Sequence, residues 1–139
     1  MDAGKLQVEI VTPQGVVYRG EADGVVAPGV EGYFGVLPRH APTIAELGVG
    51  EVRVRHDRNW ERYAISSGVM HIRDRTAVIM AEAIEAAESI DVERARRAAE
   101  RARERLRLRL GADVDVQRAQ FALARALNRL KVAGAGIDS

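Results

Sequence analysis

The feature that most constrains this chain is a change of hydrophobic period near residue 89. Before it, apolar and polar residues alternate in short runs separated by turn residues. After it, apolar residues recur every third or fourth position, and residues 92–110 contain neither glycine nor proline. A period of two belongs to half-buried strands and a period near 3.6 to helices. A chain that uses one and then the other folds as a β unit followed by a helical one, not as alternating βα units. Its 139 residues suit one ordinary domain or two small ones.

The alternation is plain at residues 5–11, where Leu6, Val8 and Ile10 share one face and Lys5, Gln7 and Glu9 the other. Thr12-Pro13-Gln14-Gly15 reads as a turn, with proline presetting its second position, and residues 16–19 resume as a strand. Val25 and Val26 belong to a third strand, closed by Pro28-Gly29. Residues 29–42 read as a loop-rich block, broken at Gly32, Gly35, Pro38 and Pro42. Residues 51–55 and 60–65 flank the polar turn Asp57-Arg58-Asn59; residues 69–73 and 76–80 flank Asp74-Arg75. Short strands joined by turns, with no helix between them, predict an antiparallel sandwich or barrel over residues 1–88. Apolar residues are 47 % of the chain but aromatics only 4 %, so its core is aliphatic.

Ser89 and Asp91 are helix-capping types. Ala95, Ala99, Ala102, Leu106 and Leu110 then form an apolar stripe at helical spacing, and Gly111 stops it. Asp113 or Asp115 caps a second helix over residues 116–132, with the stripe Ala119, Ala122, Leu123, Ala126 and Leu130. Gly134 and Gly136 fray its end, leaving 134–139 as a flexible tail. So short a connection makes the helices antiparallel neighbours, a hairpin over residues 89–133. Its many alanines allow close approach but bury little area. Such a hairpin is marginal alone and able to leave the body. Both helices open on one pattern, Ile90-Asp91-Val92-Glu93-Arg94-Ala95 and Val114-Asp115-Val116-Gln117-Arg118-Ala119.

Charge divides at the same place. Residues 1–89 carry a net −4 and residues 90–139 a net +5. A basic helical tail on an acidic body fits an anionic partner, or docking of tail on body. Cysteine is absent, which excludes disulfides and thiol chemistry. No apolar run approaches the roughly 20 residues that span a bilayer, and residues 1–5 lack a signal peptide's pattern, so a soluble, cytoplasmic protein is expected. There is no Gly-Lys-Ser/Thr phosphate loop. The glycines at 29, 32 and 35 do not form a dinucleotide fingerprint. His40, His56 and His71 stand apart, without metal-site spacing, and Ser66-Ser67-Gly68 lacks a nucleophile elbow. The chain does not read as an enzyme, and no metal is expected.

Three blocks together resemble the epsilon subunit of F-type ATP synthases. The first is Val11-Thr12-Pro13-Gln14-Gly15 with Val17-Tyr18 and Gly20. The second is Glu31-Gly32-Tyr33-Phe34-Gly35-Val36-Leu37-Pro38-Arg39-His40-Ala41-Pro42. The third is Ile90-Asp91-Val92-Glu93-Arg94-Ala95, followed downstream by Arg125-Ala126-Leu127-Asn128-Arg129-Leu130. The likeness runs in order from about residue 6 to residue 133, and its arginine-rich tail favours a bacterial subunit over the mitochondrial counterpart called delta.

The resemblance implies an all-β N-terminal sandwich of about ten strands followed by an α-helical antiparallel hairpin. It implies a non-catalytic rotor subunit of the central stalk, coupling proton flow to ATP synthesis. The implied partners are the gamma subunit, the membrane rotor ring and, when the hairpin extends, the catalytic alpha and beta subunits; neither nucleic acid nor direct membrane insertion is implied. The implied place is peripheral, on the cytoplasmic face of the bacterial plasma membrane. Glu31, Tyr33, His40 and Pro42 correspond to the ring-facing surface. Tyr33 departs from the Glu or Gln usual there, and Ser67 from a usual second glycine.

The hairpin is the regulatory part that the resemblance implies. About 36 helical residues at 1.5 Å each would reach roughly 55 Å, long enough to run beside gamma into the catalytic head and block hydrolysis. Arg103, Arg107, Arg118 and Arg125 are candidates for that inhibitory contact. ATP-binding members carry Ile-Asp-x-x-Arg-Ala at the first helix start, matched by Ile90, Asp91, Arg94 and Ala95. Arg101, Arg125, Arg129 and Glu85 complete the candidate ATP site, with Asp91 accepting from the adenine amino group or simply capping the helix. ATP is thus a regulatory ligand and no cofactor is obligatory. The alternative is a purely structural coupling subunit without ATP sensing. A nucleic-acid adaptor is the rival of another class, disfavoured by the interspersed Glu100 and Glu104 and a tail almost without aromatics.

Overall fold

The computed structural model describes residues 4–108 and 113–134. The chain divides into two compact units between Ala86 and Ala87. The first holds β1 (Leu6–Thr12), β2 (Gly15–Ala22), β3 (Gly24–Gly29), β4 (Gly32–Val36), β5 (Thr43–Leu47), β6 (Gly50–His56), β7 (Asn59–Arg73) and β8 (Thr76–Ala86). Their order is β2-β1-β8-β7-β5-β3-β4, with β6 paired to β3 and β7. All ladders are antiparallel except β1 with β8.

The two segments expected as separate strands at 60–65 and 69–73 are one continuous β7. Its first half pairs with β6, from His56↔Asn59 to Gly50↔Ile65, and its second half with β5, from Leu47↔Gly68 to Thr43↔Ile72. β8 pairs with it from Tyr63↔Ala86 to Arg73↔Thr76, with register shifts between Ile65 and Gly68. A bulge of this kind bends a strand and increases its twist, so β7 and β8 each serve both layers of the sandwich. That is why eight continuous strands stand where about ten were expected. The bulge falls on Ser66-Ser67-Gly68, and glycine is needed there: a Cβ on Gly68 would lie 2.5 Å from the Met80 carbonyl oxygen.

The block at 29–42 is corrected in part. Residues 32–36 form β4, a hairpin with β3 in which Ala27 faces Phe34 and Pro28 faces Tyr33. Gly32, at φ +131°, takes the turn, so the glycine that reads as loop is the one that allows the strand to return. The turn expected at Asp74-Arg75 is a two-residue loop with both residues at positive φ, 51° and 64°, between paired Arg73 and Thr76. Those angles match the right-handed twist of the flanking strands.

Alternation places Leu6, Val8 and Ile10 of β1 in one core with Ile79 of β8, Met70 and Ile72 of β7, Val52 and Val54 of β6, and Val25 and Ala27 of β3. One end is closed by polar groups. Lys5 donates to Asp23 at 2.6 Å, and the Asp57 N–H donates to the same carboxylate at 2.6 Å. These bonds, that of Lys5 first, hold the Asp23 carboxyl below its ordinary range. Tyr18 Oη lies 2.8 Å from His56 Nε2, and burial, then the charge of Glu61, pushes the Tyr18 phenol up.

The second unit opens with a 3-10 turn, Ala87–Ser89, followed by α1 (Val92–Leu108) and α2 (Asp113–Val132), which pack on each other. Asp91 is the N-cap: its Oδ1 accepts the Arg94 N–H at 3.1 Å and its carbonyl accepts the Ala95 N–H at 3.0 Å. Helix α2 starts at Asp113, earlier than expected. The side-chain caps expected from Asp113 or Asp115 lie outside the described residues, as do Leu110, Gly111, Gly136 and most of the 134–139 tail. At the far end Gly134, at φ +81°, donates its N–H to the Lys131 carbonyl, a glycine C-cap. Buried positions are Ala95, Ala99 and Ala102 on α1 and Ala119, Ala126, Leu130 and Val132 on α2.

Candidate functional site

The start of α1 positions half of the candidate nucleotide site, Ile90, Asp91, Arg94 and Ala95. Ile90 is nearly buried and Ala95 fully so, which anchors the motif's apolar ends. Between them the cap leaves Asp91 exposed, with Oδ1 committed to the Arg94 N–H. Arg94 and Arg101 are exposed and seven residues apart, so they project within about 20° of each other on α1, with a rise of about 10 Å between them. On α2, Arg125 and Arg129 are one turn apart. Arg125 stacks over Phe121, its guanidinium carbon 5.6 Å from the ring centroid; a cation over an aromatic face is attracted by the ring quadrupole. Phe121 was not singled out in the sequence, and it is 57 % exposed. Glu85 belongs to the first unit, on β8 opposite Ala64.

The candidate inhibitory arginines fall into different environments. Arg103 pairs with Glu100 at 3.6 Å, and Arg107 with Glu104. Arg96 pairs with Glu93 at 2.6 Å in the same i,i+3 geometry. Arg118 is exposed on the first half of α2, and Arg125 is exposed on its second half, one turn before Arg129.

The four ring-surface candidates separate into two groups along β4. Glu31 and Tyr33 lie at its start, beside the β5–β6 connection, since Gly29 faces both Gly32 and Leu47. His40 and Pro42 lie beyond its other end, where the His40 N–H closes a turn onto the Leu37 carbonyl. Tyr33 is anchored: its Oη accepts the Glu51 N–H at 2.9 Å. A Cβ on Gly50 would sit 2.7 Å from that oxygen, so the ring closes over a glycine.

The sandwich also carries an apolar groove of about 650 Å³, lined by Val11, Pro13, Ile44, Val69 and Met80 and rimmed by Glu46 and Glu82. Adjacent strands align it, with Met80 beside both Val11 and Val69. Ile44 is 72 % and Met80 47 % exposed. The sequence signal for this surface is the run Val78-Ile79-Met80, which breaks the alternation: in a half-buried strand such a run must turn apolar groups to solvent.

Comparison with known proteins gives the arrangement a lineage. Residues 5–87 match the family model "ATP synthase, Delta/Epsilon chain, beta-sandwich domain", and residues 88–134 match "ATP synthase, Delta/Epsilon chain, long alpha-helix domain". The ATP synthase epsilon chain of Moorella thermoacetica is 50 % identical over 132 residues, covering 94 % of this chain and 97 % of that one. The epsilon chain of Desulforamulus reducens is 44 % identical over 127 residues, covering 91 % and 96 %. In fold, the chain is similar to one in the Euglena gracilis mitochondrial ATP synthase (OSCP/F1/c-ring), with TM-score 0.80 and 22 % identity, covering 94 % of this chain and 81 % of that one. No helix among the described residues is long and apolar enough to cross a membrane. With both domains matched in order over nearly its whole length, the chain belongs to the family of bacterial ATP synthase epsilon chains, which are non-catalytic subunits of that complex.

Proposed function

We propose that this subunit sits in the central stalk, couples rotation to ATP synthesis, and restrains ATP hydrolysis through a nucleotide-responsive hairpin. The observation that carries this reading is the hairpin's construction: a unit of its own, whose buried positions on α1 are all alanine. Little apolar area holds such a helix, so its resting place is open to bias by a ligand that prefers one arrangement. Asp91, Arg94, Arg101, Arg125 and Arg129, with Ile90, Ala95 and Glu85, supply groups suited to adenine and triphosphate, guanidinium forks matching phosphate oxygens. ATP would stabilise the folded-down hairpin by binding it preferentially; when ATP falls, the hairpin would extend beside gamma and reach the catalytic subunits.

The sandwich supplies the fixed end. Its apolar groove, with Glu46 and Glu82 on the rim, suits a partner presenting apolar side chains flanked by basic ones, and gamma is the partner proposed for it. Glu31 and Tyr33, with His40 and Pro42, are proposed to face the rotor ring, which puts the subunit at the cytoplasmic side of the membrane without entering it.

Two measurements test the regulatory part. ATP is expected to bind the isolated chain saturably, and Arg94→Ala or Arg129→Ala to weaken it; absence of saturable binding removes the sensor. Complexes assembled with a chain ending at Ser89 are expected to hydrolyse ATP faster than those with the full chain. Equal rates would leave a purely structural coupling subunit.

A further inference from the structure

The arginines of α1 sort into two rows by what they touch. Arg96, Arg103 and Arg107 occupy an arc of about 40° around the helix, and each is paired with the glutamate three residues before it. Arg94, Arg97, Arg101 and Arg105 occupy a different arc of about 80°; all four are exposed and, among the described residues, form no ion pair. Their spacings are three, four and four. Each is therefore about one turn from the next, and the four positive charges line one strip of the helix. The row also begins in the first turn, where the macrodipole disfavours cations. Four exposed guanidinium groups without an ion pair, in line on one face of the helix, are available to meet an anion.

We propose that Arg94, Arg97, Arg101 and Arg105 form one anion-reading row whose ligand is the triphosphate chain, with Arg97 a direct contact between Arg94 and Arg101. The inference rests on the nucleotide reading above and extends it to two residues outside the motif. Arg94 and Arg101 are about 10 Å apart along the axis and Arg97 falls inside that interval, while Arg105 lies a further 6 Å on. Arg97 therefore reaches the phosphates through its planar fork, and Arg105 contributes chiefly through its charge.

The test is equilibrium titration of the full chain with ATP and with inorganic tripolyphosphate, at physiological and raised salt. Losing one charge-assisted hydrogen bond is worth about a tenfold change, so Arg97→Gln is expected to weaken both ligands about tenfold and Arg97→Lys by less. Arg105→Gln should weaken them about threefold with a shallower salt dependence, and Arg96→Gln less than twofold. Without ligand, Arg97→Gln should be as helical as the parent, since glutamine and arginine have nearly equal helix propensity; this separates lost contact from lost fold. Parent-like binding by Arg97→Gln, or an equal loss in Arg96→Gln, overturns the row while ATP binding by the parent keeps the sensor. Tripolyphosphate binding that depends on Arg97 without ATP binding keeps the row and removes the sensor. Binding of neither removes both.

Discussion

The sandwich and the hairpin are held together by different kinds of residue. The sandwich buries branched and long side chains from opposing layers: Leu6, Ile10, Ile65, Met70, Ile72 and Ile79 are all at most 1 % exposed. On α1 only Ala95, Ala99 and Ala102 are buried, and each alanine removes little apolar surface from water. A fully buried isoleucine or leucine stabilises by roughly 1.5–3 kcal/mol, so the two units differ greatly in how firmly each is held. The proposed function asks for one part that stays put and one that moves, and side-chain size suits the sandwich to the first role and the hairpin to the second.

The largest expected effect comes from the rigid part. Ile72→Ala should cost the sandwich about 3 kcal/mol, read as a fall in the urea midpoint followed by Trp60, the chain's single tryptophan. Amide exchange in α1 and α2 should change far less than exchange in β7. Equal acceleration in both would mean that the two units unfold together, and the contrast would break.

Leu130→Ala probes the hairpin. Leu130 is one of the few large buried side chains of α2, and its truncation should cost the hairpin about 2 kcal/mol. Hydrogen exchange should accelerate in α1 and α2 with β1, β7 and β8 unaffected.

A smaller effect isolates the cap. Asp91→Ala removes the acceptor of the Arg94 N–H and should cost about 1 kcal/mol, seen as lower helicity with an unchanged near-ultraviolet tryptophan signal. Asp91→Asn should restore the helicity, because asparagine caps as well.

The smallest expected effect is at the polar corner. The folded carboxyl of Asp23 titrates below its ordinary value of 3.8, chiefly through the Lys5 hydrogen bond. Its contribution is thus present above the unfolded value and lost as pH falls through the lowered one. Asp23→Asn should flatten that acid limb of the urea midpoint. It should lower the Trp60 transition at neutral pH while leaving helix melting unchanged.

Much of this was legible in the sequence. The change of period near residue 89 marked the two units, and strict alternation marked Leu6, Val8 and Ile10 as core, because a strand offers only two faces. Asp91 was legible as a cap because capping is local chemistry within one turn. The β3–β4 hairpin was not: Gly32 and Gly35 signal a loop by type, and only pairing with β3 reveals residues 32–36 as a strand. Nor was the continuity of β7, since a bulge is defined by the register of its partner and not by Ser66-Ser67-Gly68 alone.

The candidate site divides in the same way. Motif and spacing nominated Arg94 and Arg101 on one side of α1, since helical geometry follows from residue number. The apolar groove needed the sheet, because Val11, Ile44, Val69 and Met80 are distant in sequence and become neighbours only through strand pairing. The sequence by itself determined the class of each unit and the faces its residues share, as these depend on backbone period and local sterics. Only the tertiary structure decided which strands lie side by side, which exposed apolar groups form one surface, and which arginines find a carboxylate, because those depend on distances that the chain sets only once it is folded.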